Sequence, residues 1–218
     1  MIDGRLLTWV LADPARSAQL TDPQWAALLT IAHAERLAGS LAVRLDGLDV
    51  PPVAARFLDR ARKTAEGDRT TALWEAEMAQ RALLPLGIPI ILLKGAAFVA
   101  AGLDAGRGRQ IGDLDILVPR DRLDEAEAAL LAAGWEWVKP DPYDDAYYRD
   151  HMHELPPLIH RERDRMIDVH HTILPLTARI TPKADALVAG AVPLGNGLSI
   201  LSPEDMVIAD DDGAVGLA

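Results

Sequence analysis

The sequence contains no cysteine, and this absence excludes two classes of protein. Without any cysteine among its 218 residues, the chain can form neither a disulfide framework nor a metal site with thiolate ligands. Any metal site must therefore use oxygen or imidazole ligands. The lack of cysteine suits a cytoplasmic protein. The first five residues also lack a basic region followed by an apolar run, so no export signal is predicted.

Long apolar runs and an excess of positive charge are also missing. No stretch approaches the length of a membrane-spanning helix, so we expect a soluble protein with no membrane partner. Lysine and arginine number 22 against 33 aspartates and glutamates, which gives a formal charge of −11. Such a charge opposes non-specific binding to polyanions, so a long nucleic acid is disfavoured as a partner.

Hydrophobic residues make up 50% of the chain, enough to bury a core, and we expect one main domain with a helical extension. Apolar residues return at helical spacing after Thr21 and again over residues 53–84, where Gly67 is expected to break or bend the helix. The tryptophans and methionines of these helices are predicted to lie in the core. Residues 1–86 are predicted to form a helical region packed on the core. The core itself is predicted at 87–205, and a tail with a shortened helical region at 206–218.

The core region alternates short strands and helices. Strands are predicted at 90–93, 113–118, 135–138 and 165–171, with a proline-interrupted edge strand at 153–160. Helices are predicted at 96–101, between 119 and 134, and after the capping residue Ser202, where the acidic run 210–213 interrupts the apolar pattern. The stretch 140–148 is rich in Asp and Tyr and contains two prolines, so it is predicted to be a loop.

An acidic pair opens the second of these strands. Residues two apart on a strand share a face, so Asp113 and Asp115 are predicted to project side by side, where neighbouring carboxylates favour a divalent cation. Acids at a strand end that merely face water are the alternative. Asp168 lies between apolar neighbours on a later strand, where an unpaired charge is costly. If the two strands are adjacent, three carboxylates meet, as in a two-metal site for phosphoryl or nucleotidyl transfer.

A Lys-Gly turn precedes the acidic strand. Gly95 allows a close approach of backbone N–H groups to a ligand, Ala96 starts the next predicted helix, and Lys94 adds a positive charge, which together favour phosphate. An ordinary turn beside a solvated lysine is the alternative. Of the basic clusters, only the one that contains Arg109 is next to the acidic strand. The cluster formed by residues 161, 163 and 165, all arginines, is predicted to be a solvated face.

Five histidines cluster in the sequence around Asp168: His151, His153, His160, His170 and His171. A zinc site of imidazole and carboxylate ligands is one hypothesis. Alternation along the strands sends His170 and His171 to opposite faces and separates His153 from His160, so a converging set of three ligands is not predicted. His153 or His170 is instead predicted to form hydrogen bonds near the site, where it orients Asp168 or contacts an acceptor.

These motifs, taken together, resemble the polymerase-β-like nucleotidyltransferase superfamily, and within it a bacterial, largely uncharacterised nucleotidyltransferase family. The resemblance extends over about residues 88–205. The matching pieces are Leu92-Leu93-Lys94-Gly95, Arg109 four residues before Asp113, the strand from Asp113 to Val118, Gly134-Trp135, and Ile167-Asp168-Val169-His170. The resemblance implies an α+β fold with a polymerase-β-like core, in which helices flank a small mixed sheet. The N-terminal helical region is added to this core.

The resemblance also implies a function. Asp113, Asp115 and Asp168 would bind two Mg²⁺ ions, or Mn²⁺, and Asp168 would be the base for an acceptor hydroxyl. An NTP would be the co-substrate, with its phosphates at the four residues Lys94, Gly95, Ala96 and Arg109. The implied reaction moves a nucleoside monophosphate to a hydroxyl of a small molecule or a protein, with tRNA as a further acceptor.

Two departures from the superfamily pattern keep other functions open. Ala96 stands where the superfamily usually has Ser or Gly, and the C-terminal helical region looks shortened. A catalytically degenerate nucleotide-binding or regulatory module is therefore one alternative. A metal-dependent phosphohydrolase that uses the same acids and histidines is another.

Overall fold

The computed structural model describes residues 5–139 and 141–209. The chain forms two compact units. The first unit contains the residues up to Thr71 together with Leu103–Ile111, and the second contains Ala72–Gly102 together with the residues from Gly112 onward. The division into a helical region, a core and a tail at 1–86, 87–205 and 206–218 stays a prediction.

Helices build the first unit. They are α1 (Arg5–Ala12), α2 (Asp22–Ala34), α3 (Ala38–Arg44) and the first part of α4 (Pro52–Leu83). Thr21 begins α2 as predicted, and its N–H donates to Gln24 Oε1 at 2.9 Å, which satisfies one of the donors that a helix start leaves open. Trp25, Leu28 and Leu41 lie in the hydrophobic core of this unit.

The long helix α4 differs from the prediction in two ways. It continues without interruption through Gly67, because a single exposed glycine costs only about 1 kcal/mol and the surrounding residues favour helix. A Cβ atom at Gly67 would meet no heavy atom within 4 Å. Trp74, predicted to be a core residue, is 45% exposed instead.

Gly67→Ala should increase the free energy of unfolding by about 0.5 to 1 kcal/mol, because alanine limits the unfolded chain and favours helix. Gly39→Ala, on α3, should instead destabilise the protein, since its Cβ would clash with the backbone oxygen of Gly108. Urea unfolding of both variants measures the contrast. Equal stability changes of the same sign would contradict it.

The second unit is built on a mixed seven-stranded sheet in the order β3-β4-β5-β2-β1-β7-β6. The strands are β1 (Ile90–Leu92), β2 (Leu114–Leu117), β3 (Trp135–Trp137), β4 (Leu158–His160), β5 (Met166–His170), β6 (Val192–Pro193) and β7 (Leu198–Ile200). The remaining helices are α5 (Lys94–Ala100), α6 (Leu123–Ala132), α7 (Pro142–His151), α8 (Ala184–Ala189) and α9 (Pro203–Ala209). The α+β class with a mixed sheet is thus confirmed.

Local interactions explain where this unit departs from the prediction. The stretch predicted as a loop forms α7, because the Asp141 carboxylate accepts a hydrogen bond from the Tyr143 N–H (2.9 Å) and a proline occupies the first turn. Pro140 lies outside the described residues. The predicted edge strand is also wrong: only β4 forms there, and it lies between β3 and β5.

The end of the described chain agrees with its prediction. Ser202 precedes α9, and its Oγ accepts a hydrogen bond from the Asp205 N–H at 3.2 Å. The acidic interruption predicted after this helix lies outside the described residues. Among residues 5–139 and 141–209, no helix has both the length and the apolar character needed to cross a bilayer.

Candidate active site

The pairing of β2 with β5 brings two of the predicted acids together. These strands run parallel, and Asp115 is the register partner of Asp168. The next pair along the same face is Leu117 and His170, because side chains two apart on a strand share a face. The sheet therefore places Asp115, Asp168 and His170 in one neighbourhood.

Asp115 is buried and contacts a lysine and a histidine. It is 6% exposed, and its Oδ1 lies 2.8 Å from Lys94 Nζ and 3.0 Å from His170 Nε2. Burial alone would raise the pKa of Asp115, but the hydrogen bond and electrostatic effect of His170, and then those of Lys94, lower it below its usual value. Asp115 is consequently an anchored carboxylate that stays ionised at neutral pH.

Asp168 has the opposite character. Its burial, together with the negative charges of Glu154, Asp115 and Asp113, raises the pKa of Asp168 to about 6. Burial removes water from this carboxyl group, and the neighbouring carboxylates further disfavour its ionised form. Such a carboxyl group is a candidate for proton transfer near neutral pH.

Asp113 differs from Asp115 more than the sequence predicted. Strand β2 begins at Leu114, so Asp113 precedes the strand and is exposed, whereas Asp115 is buried. The expected side-by-side pair is thus an exposed and a buried carboxylate. Both still lie close enough to Asp168 to raise its pKa.

The Lys-Gly turn is the start of α5, two residues after the end of β1. Lys94 has a φ of 47°, in the left-handed region that residues other than glycine seldom adopt, and strain of this kind often marks a functional turn. Its ammonium contacts Asp115, while Gly95 and Ala96 are buried in the first turn of α5. Arg109 belongs to the first unit, and its assignment to phosphate stays a proposal.

The histidines separate into two groups. His151 is exposed on α7, and the ring of His160 packs edge-on against Trp135, with 5.0 Å between centroids. His153, His170 and His171 are buried. Burial, aided by nearby positive charge, lowers the pKa of His153 and of His171 to about 4, so both rings are neutral at pH 7.

One acid at this site escaped the sequence analysis. Glu154 forms an isolated antiparallel bridge with His170, and its Oε2 lies 3.4 Å from His170 Nδ1 and 3.9 Å from His153 Nε2. The strand pattern did not predict a converging set of three ligands, because it placed His153 on one strand with His160, whereas His153 precedes β4. No local pattern marked Glu154, which two prolines separate from β4.

The oxygen-rich side of this cluster suits a hard divalent cation. Asp113, Asp115 and Asp168 supply carboxylate oxygens, and the negative charges of Asp115 and Asp113 add to the effect of burial in raising the pKa of Asp168. Mg²⁺ and Mn²⁺ prefer such oxygen ligands. The chemistry of these side chains suits the metal ion that the family resemblance implied, whereas the three side chains that the described residues bring within 4.8 Å of one another as possible metal ligands are His153, Glu154 and His170.

Comparison with known proteins gave one match. Residues 21–209 match the model of a protein family described as "Uncharacterised nucleotidyltransferase". The matched range includes all the residues of the candidate site. No curated protein and no solved structure matches the chain.

Proposed function

Because the chain belongs to this uncharacterised nucleotidyltransferase family, we propose that it transfers a nucleoside monophosphate from an NTP to a hydroxyl group of an acceptor. The observation that carries the proposal is the parallel register of β2 and β5, which sets Asp115 beside Asp168. Asp113, just before β2, adds the third carboxylate. This arrangement supports the assignment of all three acids to one site.

These three acids would hold Mg²⁺, or Mn²⁺, and when bound the metal would neutralise charge on the nucleotide phosphates and on the departing pyrophosphate. Asp115 is suited to this role because Lys94 and His170 keep it ionised and fix its position. Because the carboxylate is already fixed before the metal binds, less conformational entropy is lost on binding.

Asp168 is proposed to accept the proton of the acceptor hydroxyl. Burial and the neighbouring carboxylates bring the pKa of Asp168 to about 6 before a metal binds, and a bound cation would lower it, so that Asp168 would be ionised and able to accept the proton. Lys94, Gly95, Ala96 and Arg109 remain the proposed contacts of the phosphates. Lys94 would contact both the phosphates and the Asp115 carboxylate, since its ammonium already forms an ion pair with Asp115.

The acceptor is proposed to be a small molecule or a protein hydroxyl. The formal charge of −11 repels a long polyanion, although the end of a tRNA remains an alternative to be tested. A cytoplasmic location belongs to the same proposal. Of the two histidines expected to orient Asp168 or contact the acceptor, His153 and His170, the second would instead orient Asp115, which its Nε2 contacts at 3.0 Å.

Calorimetric titration of ATP and GTP, with and without Mg²⁺, tests the proposed site. We expect Mg²⁺-dependent binding of at least one nucleotide to the wild-type protein and its loss in Asp113→Ala, because this variant lacks one of the proposed metal ligands. Asp113 is exposed, so the substitution should not disturb the fold. Asp121→Ala, which removes an exposed acid outside the site, is the matched control. Equal metal-dependent binding by Asp113→Ala and wild type would refute the site.

Labelled NTP then separates the candidate reactions. Transfer of label to an acceptor supports nucleotidyl transfer. Metal-dependent binding without transfer to any acceptor tried would instead favour the degenerate module, and release of free phosphate would favour the phosphohydrolase.

A further inference from the structure

Three potential metal ligands converge beside the acidic site. One ligand atom each from His153, Glu154 and His170 can be chosen so that all three lie within 4.8 Å of one another. His153 is 8% exposed and His170 is 1% exposed, so both imidazoles are largely removed from water. The bridge between Glu154 and His170 fixes the backbone of two of the three ligands.

The hydrogen bond to Asp115 determines which nitrogen of His170 is available. An ionised carboxylate can only accept, so His170 Nε2 carries the hydrogen and donates it to Asp115 Oδ1 at 3.0 Å. In the neutral ring, Nδ1 then keeps its lone pair. That atom is buried, has no hydrogen-bond partner in the described part of the chain, and lies 3.4 Å from Glu154 Oε2.

This is the arrangement by which proteins prepare a histidine to bind a metal. A ligating imidazole commonly donates its other N–H to a carboxylate, which orients the ring and increases its basicity. His153 adds a second buried ring, whose Nε2 lies 3.9 Å from the same oxygen of Glu154. Buried polar atoms without partners are rare enough to need an explanation, and a bound ion supplies one.

We propose that His153, Glu154 and His170 bind a divalent transition-metal ion of the zinc class, at a site separate from the carboxylates that would hold Mg²⁺. Two imidazoles and a carboxylate suit Zn²⁺ or Co²⁺, whereas Mg²⁺ prefers oxygen ligands alone. Three protein ligands leave one position of a tetrahedral ion for water or a further ligand. The ion would fasten the segment before β4 to β5.

A proton is the competing occupant. A hydrogen on His170 Nδ1 would make this ring an imidazolium between Asp115 and Glu154, with no metal needed. The two occupants can be distinguished by absorption spectroscopy. A Co²⁺ ion bound in tetrahedral geometry absorbs visible light intensely, and a proton at the same place does not. The proposal does not depend on nucleotide transfer, so the test uses no nucleotide.

The test titrates Co²⁺ into the full-length, metal-free protein in excess Mg²⁺, which fills sites made of oxygen ligands. We expect an intense visible band of tetrahedral cobalt at one equivalent, its loss on adding Zn²⁺, and a higher melting temperature with Zn²⁺. Absence of both the band and the thermal shift in the wild-type protein would overturn the proposal.

Variants assign the ligands. His153→Gln and Glu154→Gln should each weaken Co²⁺ binding by at least about 100-fold, since losing a ligand costs no less than losing one of its outer hydrogen-bond partners. His151→Gln, an exposed histidine two positions away, and Asp113→Ala should keep the band. Circular dichroism checks that each variant is folded. If His153→Gln does not fold, the result for Glu154→Gln tests the assignment of the ligands. An unchanged band in the folded ligand variants would refute the assignment, and a band with no nucleotide binding would refute only the proposed transfer.

Discussion

Asp168→Asn should abolish nucleotidyl transfer and, in the metal-free protein at pH 7.5, increase the free energy of unfolding by about 1 to 3 kcal/mol. The loss of transfer, about 10²- to 10⁴-fold, follows from removing the proposed base. The gain in stability follows from the raised pKa of Asp168, about 6 in the folded protein against 3.8 ordinarily, because each pKa unit corresponds to about 1.4 kcal/mol.

The sign of the stability effect sets its pH window. Between pH 3.8 and about 6 the folded protein holds a proton on Asp168 that the unfolded chain has released, so this group's contribution to stability falls as the pH rises. Above pH 6 the ionised Asp168 lowers the free energy of unfolding by its full amount, because the carboxylate is then charged near Asp113, Asp115 and Glu154. Asparagine has no such penalty. His153 and His171, whose pKa values are lowered, contribute in the opposite direction but equally in both proteins.

Urea unfolding of wild type and Asp168→Asn, with a chelator present, measures the difference. The two proteins should have similar stability near pH 4 and diverge by pH 7.5. Asp164→Asn, in the exposed turn before β5, is the control and should show no such divergence. Added Mg²⁺ should stabilise wild type more than Asp168→Asn. A variant less stable than wild type at pH 7.5 would show that Asp168 is not under repulsion.

The sequence predicted those parts of the fold that depend on local signals. Apolar runs located β1, β2 and β5, and the helical spacing of apolar residues after Thr21 located α2. The helix α7 was missed because its Asp and Tyr residues have low helix propensity, while the Asp141 cap that starts it looks like a loop signal. Local patterns are thus most reliable where propensity and capping agree.

The candidate site was predicted less completely, because it depends on which strands pair. Asp113, Asp115 and Asp168 could be named from their apolar surroundings, but only the sheet order shows that β2 lies between β5 and β1. The contacts of Asp115 with Lys94 and His170 join residues 21 and 55 positions away along the chain. No local periodicity encodes such contacts, and Glu154 was missed for the same reason.

A second long-range interaction has a larger expected effect on stability. Arg163, predicted to lie on a solvated face, forms two hydrogen bonds with Glu75 on α4, from Nε to Oε1 at 2.8 Å and from Nη2 to Oε2 at 2.9 Å. Its guanidinium lies 5.1 Å from the centre of the Trp74 ring and 4.7 Å from that of Trp135. Glu75 is 4% exposed, so Arg163 neutralises a buried charge.

Arg163→Met should lower the free energy of unfolding by about 3 to 5 kcal/mol, because it leaves Glu75 buried without its partner and removes the cation–π contacts. Arg163→Lys should cost less, since it keeps the charge but loses the bidentate geometry. Urea unfolding at neutral pH measures both changes.

The double variant Glu75→Leu/Arg163→Met distinguishes a neutralised buried charge from ordinary packing. If the cost of Arg163→Met comes from an uncompensated carboxylate, removing that carboxylate as well should restore much of the stability, so that the double variant is more stable than Arg163→Met alone. If the cost comes from lost packing between Arg163 and the two tryptophans, the two changes should add. Arg163 lies in the turn between β4 and β5, five positions before Asp168. A non-additive cycle would therefore show that a buried ion pair on α4 anchors the turn that leads into the strand carrying the proposed base.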